Sequence, residues 1–432
     1  MRSVFVVVGM LMSMSAQASL MPELIRFELA LSGDADAIAA LRDGGQDALD
    51  ALIALRTQKP SMADEETWVK TIDAVAGQKD AATSGLFWYT DLDAAKAEAA
   101  ATGRPILSLR LLGLLTEEYS CANSRMFRAL LYTHPDVQKV LREQFVLHWS
   151  SERPAPRLTI DMGDGRQMVR TITGNSAHYL LDAQGRPIDI VPGLYAPAVF
   201  LEQLADARAL SDALGGLDDR QRAKRLERWH QTRYKQALTA LSDVLDAPNE
   251  ATLTRWLHGE EAQPLDNDLA IEAMALTATK AINETPTLRM FVPRNKSPDD
   301  RDDDQNRGDW QPTPEDWSEI GLQAYGDVSA PSPEAVDFIA AQRPLDALGA
   351  EMSLDPMLAT LRETVAADTA INELQLHAKA HYWFARANGE IGSFDALNAR
   401  VYDELFSTPA SDPWMGLLIE DVYTGLERGG VQ

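Results

Sequence analysis

Apolar residues recur at helical spacing from Met21 to about Asp80: Leu24, Phe27 and Leu31, then Leu49, Leu52, Ile53 and Leu55. Gly33-Asp34 and Gly44-Gly45 punctuate this run, Lys59-Pro60-Ser61 breaks it, and Trp68, Ile72 and Val75 resume it as one more helix. The pattern predicts a helical lead-in over residues 19–84. From Gly85 the period changes. An Ala-rich helix is expected from Asp93 to Thr102 with Gly103 as its stop, followed by Pro105 and a strand from Ile106 to Leu112. Helices over Ala122 to Leu131 and Pro135 to Glu143 precede a strand at Phe145 to Trp149. Leu158 to Met162 and Gln167 to Ile172 flank Gly163-Asp164-Gly165, which signals a hairpin. Tyr179 to Leu181 and Ile188 to Val191 flank Asp182-Ala183-Gln184-Gly185, and a helix from Pro197 to Ala209 closes the set. Helices, strands and a hairpin in this order read as one α/β domain with a mixed sheet over residues 85–210.

Beyond Leu210 the strand signal disappears. Helices are expected over Arg220 to Leu245, Leu269 to Ile282, Pro333 to Gln342, Pro356 to Asn388, Phe394 to Phe406 and Pro413 to Leu426, giving an all-α C-terminal domain over residues 211–432. A charged, proline-bounded loop interrupts it at residues 293–314. No fixed period repeats, which sets the domain apart from a solenoid.

The first residues change the picture of where the protein works. Met1 and Arg2, an apolar run from Val4 to Met12 and Ala16-Gln17-Ala18 follow the order of a secretory signal, with cleavage expected after residue 18. The mature protein is then expected in the periplasm or outside the cell, with no membrane span after signal removal. Charge narrows the partners: 65 acidic against 40 basic residues give a formal charge of −25, which repels nucleic acid and anionic membranes. A protein partner is the expectation that remains.

The chemistry centres on Cys121, the single cysteine, in Y-S-C-A-N-S-R. A cysteine opening a helix gains from the unpaired N–H groups there, and Arg125 and Arg128 stand four and seven residues on, sharing its side of the helix. Ser124 offers a hydroxyl to the sulfur. Three states of the thiol are open: buried and inert, reactive, or paired between chains in a Cys121-linked dimer.

The run A-A-K-A-E-A-A-A-T-G-R-P-I-L, the C-A-N-S motif one strand later, and M-F-R-A-L-L-Y-T-H-P-D-V-Q-K-V-L-R-E-Q-F-V resemble thioredoxin-like domains. So does L-L-D-A-Q-G-R-P-I-D-I-V-P-G-L-Y, which is similar to their final hairpin, and together these cover about residues 86–210. The resemblance implies a thioredoxin-like fold in a degenerate C-x-x-S form, with Cys121, Ser124 and Arg125 as the candidate catalytic group. By spacing it places the substrate groove at Asn175 and Ser176, where the family carries a cis-proline. Ser120 stands where the family carries Trp before the first cysteine. A lone thiolate cannot resolve a mixed disulfide by itself, so any redox chemistry is monothiol. Ser108 and Arg110 also sit in what should be a continuously apolar central strand, which calls for a wetter face or a carboxylate from a neighbouring domain.

Other constellations carry less. His377 and His381 share a helix face, but no third ligand is evident and Ala378 stands where a zinc protease has Glu, so a structural role is expected and no metal or cofactor. Asp300, Asp302 and Asp304 alternate as in calcium loops, yet Gln305 and Gln311 occupy the required Gly and Glu positions. Asp161, Asp164, Arg166 and Arg170 around the hairpin satisfy turn geometry. No G-x-S-x-G, phosphate loop or dinucleotide fingerprint appears. Two functions follow: a protein-binding adaptor with a degenerate site, or a monothiol thiol-disulfide oxidoreductase with Cys121 as nucleophile.

Overall fold

A computed structural model of the chain describes residues 23–172, 175–245, 249–258, 312–344, 350–387 and 391–411. The expected signal segment, the Leu269 to Ile282 helix, the acidic run of residues 299–309 and the Pro413 to Leu426 helix lie outside the described residues. Two compact units are present. Among the described residues, the first comprises residues 23–90 and 115–118, and the second residues 91–114 and those from 119 onward.

The first unit is helical. Residues 23–31 and the helices Ala35–Asp43, Gly45–Gln58 and Glu65–Ala76 bury Leu41, Leu49, Leu52, Trp68, Ile72 and Val75 in one core. Asp34 and Asp64 cap two of these helices by accepting the N–H of Ala37 and Thr67, which removes orphan donors from each first turn. Burial raises the Asp73 carboxyl to about 6, although it accepts the N–H groups of Ala81 and Asp80.

The second unit is built on a four-stranded mixed sheet of order β2-β1-β5-β6, where β1 is Ile106–Leu112, β2 Val146–Arg153, β5 Ala177–Leu181 and β6 Pro187–Pro192. β1 and β2 are parallel; β5 and β6 run antiparallel to β1 and to each other respectively. A separate two-stranded hairpin, β3 Arg157–Asp161 and β4 Gln167–Thr171, stands between β2 and β5 in the chain. Its turn forms as the glycines require, with Asp161 accepting the Gly163 N–H and Asp164 bound to Arg166. Helices Leu92–Thr102, Pro135–Gln144 and Pro197–Leu214 complete the α/β part close to the expected bounds.

The C-terminal part is helical among the described residues, with Asp219–Val244, Pro333–Ala341, Leu354–Ile371, Ala378–Arg386 and Phe394–Arg400 at the expected places. The chain folds two further helices that the apolar pattern did not mark, Glu250–His258 and Pro314–Tyr325. Both carry strong start signals: Asn249 accepts the Thr252 N–H, and Thr313 forms a capping box with Asp316. Three helices widen into π turns at Phe127–Leu131, Asn372–His377 and Val401–Leu405. No helix of the described residues is long and apolar enough to cross a membrane.

Candidate functional site

Cys121 sits just beyond the end of β1. Its N–H donates to the carbonyl of Leu112, and it stands as the N-cap of the short helix Ala122–Met126. The two ends of the connection lie close together because Gly113, with φ +79°, approaches the Ser120 backbone; a Cβ there would lie 3.0 Å from Ser120 Cα. The sulfur is therefore fixed by both a strand end and a helix start.

Burial and two hydroxyls define its surroundings. Cys121 is 2% exposed. Its Sγ lies 2.8 Å from the Ser176 Oγ and donates weakly to the Ser124 Oγ at 3.5 Å, while the Ser124 hydroxyl donates to the Cys121 carbonyl at 2.9 Å. The structure thus brings Cys121, Ser124 and Ser176 together from positions 55 residues apart in sequence. Asn175 is also fully buried. Arg125 is half-buried one turn on, and the buried Arg128 donates to the hydroxyl of Ser120, the residue before the cysteine, at 3.2 Å. No cis peptide bond is present among the described residues, at Ser176 or elsewhere.

Behind the thiol lies an aromatic layer. Tyr132 hydrogen-bonds His178 at 2.8 Å, and the His178 ring packs against Phe127 and Phe200. Burial pushes His178 down to about 3 and Tyr132 well up, so both are neutral. One strand over, Ser108 faces His148 in register and the two hydrogen-bond at 2.8 Å; burial, with Arg110 nearby, pushes His148 down to about 4.

The chain itself covers the site. Tyr402 donates its hydroxyl to the Asn175 carbonyl at 3.0 Å, and Arg153 holds the carbonyls of Thr408 and Pro409. Asn398 joins Tyr179 to Glu152, and Arg110 meets Asp395 at 2.7 Å beneath the Phe394 ring. Arg110 of β1 is explained by this cover, since the carboxylate it calls for comes from the helix Phe394–Arg400, while Ser108 is satisfied by His148. Cys121 is a free, buried thiol, and a disulfide between two chains there would require this segment to lift away.

A second polar cluster lies at the far side of the sheet. Asp189 of β6, His230 of Asp219–Val244, and His377 and His381 of the helix beyond Leu354–Ile371 are all buried. Burial alone would raise Asp189 and lower His377, but the 3.3 Å contact between them, with Glu373 on the other imidazole nitrogen, reverses both. Asp189 is held well below the carboxylate range and His377 is pushed up to about 10. Burial lowers His230 and His381. The sequence reading found His377 and His381 but no companions. The missed signal was Asp189, the one charge in the buried strand P-I-D-I-V-P. Comparison with family models, with curated proteins and with solved structures finds no match.

Proposed function

We propose that the protein is an exported, thioredoxin-like binding module whose thiol is structural. The observation that carries this reading is the state of Cys121: buried, held by two serine hydroxyls, and covered by a segment of its own chain. A thiol-disulfide exchange site must admit a partner disulfide in line with the sulfur, and here the cover segment is bonded to the loop beside it. The thioredoxin-like part of the reading is supported by the sheet order, by the parallel β1–β2 pair with antiparallel β5 and β6, and by a cysteine that follows β1 and opens a helix.

A binding surface is offered by the hairpin. The β3–β4 sheet pairs with no other described strand, and Met162 and Met168 are 56% and 42% exposed. Unpaired edges beside exposed apolar side chains are templates for a partner strand. The test separates thiol from surface: in cells, Cys121→Ser should retain function, while Met168→Asp should reduce it as strongly as gene deletion. A Cys121→Ser phenotype equal to deletion would replace this reading with the monothiol oxidoreductase, whose nucleophile would be the same sulfur.

A further inference from the structure

The cluster around Asp189 has the composition and geometry of a metal centre. Asp189, His230 and His381 each offer one ligand atom, and these atoms lie within 4.8 Å of one another, from a strand and two helices distant in sequence. The two Nδ1 atoms are 2.9 Å apart, and His381 Nδ1 is 3.8 Å from the Asp189 oxygen. Ligand atoms bound at about 2.0–2.1 Å around a tetrahedral zinc are about 3.3 Å apart, so these separations bracket that value.

The outer contacts are those that orient ligands. His230 uses Nε2 on the Ile188 carbonyl at 2.9 Å, which leaves Nδ1 turned inward as a lone pair. His377 bridges Asp189 through Nε2 and Glu373 through Nδ1, a carboxylate-backed imidazole behind the ligating carboxylate. His377 and His381 are set by the π turn Asn372–His377, an irregularity that recurs at functional sites in helices. With His230 Nδ1 as the acceptor, the proton between the two rings sits on His381 Nδ1, and a cation bound there would send it to His381 Nε2 or release it.

We infer that Asp189, His230 and His381 bind one divalent transition metal, zinc in first place, with a water as fourth ligand and His377 and Glu373 as positioning residues. Imidazole and carboxylate donors suit zinc and cobalt(II), and magnesium or calcium would want oxygen alone. The metal would tie β6 to the two helices that carry the histidines.

The test uses the full chain stripped with a chelator and titrated with Zn²⁺ by calorimetry and with Co²⁺ by visible absorption. One equivalent should bind, with the intense ligand-field bands of four-coordinate cobalt and a rise in Tm. His230→Asn and His381→Asn should each weaken binding more than about 100-fold, and His377→Gln about 10- to 100-fold. His134→Asn, outside the cluster, should leave it unchanged. X-ray absorption of the zinc-loaded wild type covers the case in which a variant does not fold: two imidazoles with oxygen and no sulfur are expected. Absence of stoichiometric binding by the folded chain, a sulfur ligand, or unchanged affinity in folded His230→Asn and His381→Asn would each overturn the assignment and leave a hydrogen-bonded polar cluster only.

Discussion

Removing the Tyr402 hydroxyl tests how the thiol is kept closed. Labelling Cys121 requires the segment from Phe394 to Pro409 to open. The contacts that resist are Tyr402 to the Asn175 carbonyl, Arg153 to the carbonyls of Thr408 and Pro409, Tyr179 to Asn398, and Asn398 to Glu152. At about 0.5–1.5 kcal/mol net for each, these hydrogen bonds set a lower bound of roughly 2.5–7.5 kcal/mol on the opening cost, to which the burial of Phe394, Leu397, Val401, Leu405 and Phe406 adds. With 1.4 kcal/mol per factor of ten, alkylation of native Cys121 should run slower than that of the urea-unfolded chain by at least roughly 10²- to 10⁵-fold. Tyr402→Phe deletes one buried contact at about 1 kcal/mol, so it should speed labelling roughly fivefold while leaving the unfolded rate unchanged. Iodoacetamide kinetics read by intact mass give both rates. Native labelling as fast as unfolded, or a Tyr402→Phe rate equal to wild type, would refute the cover.

Three further outcomes follow from the packing. His178 and His148 have folded pKa values of about 3 and about 4, below the unfolded value, so their contribution to stability is full above about pH 6.5 and is lost as pH falls through that range. Their ring nitrogens should report neutral imidazoles at pH 5.5 by NMR, and an imidazolium signal from either ring would contradict the burial argument. Gly321→Ala should destabilise by about 1–3 kcal/mol in urea unfolding, because its Cβ would lie 2.5 Å from the Ala367 backbone N; a change near zero would mean that the two helices separate freely. Asp395→Asn removes only the charge from an exposed partner of Arg110, so its effect should stay within about 0–1 kcal/mol, and a loss of several kcal/mol would show the pair to be buried.

The sheet was legible because its strands are short apolar runs between turn residues, and β1 falls on the expected Ile106 to Leu112. Helix ends followed where Asp, Ser, Gly or Pro stood at caps. The helices Glu250–His258 and Pro314–Tyr325 escaped because their apolar stripes are narrow, with Leu253, Leu257 and Trp317 among the few buried positions. Of the site, the helix-opening cysteine could be read from its local sequence, and the nearness of Ser176 only from the resemblance to thioredoxin-like domains. The closure could not, since Tyr402 and Asn175 are 227 residues apart and tyrosine in a helix carries no local mark of its partner. Arg110 in an otherwise apolar strand was the one residue that announced a distant carboxylate, and the partner it meets, Asp395, stands in solvent. His230 gave no such sign in a helix rich in polar residues.

The claim that the thiol is structural meets its most direct test in exchange with oxidised glutathione. The native full chain should form no mixed disulfide at Cys121 on a timescale in which the urea-unfolded chain is fully modified, as read by intact mass. A native glutathionyl adduct that forms rapidly and is released by an added thiol would contradict the account and assign the sulfur to monothiol exchange.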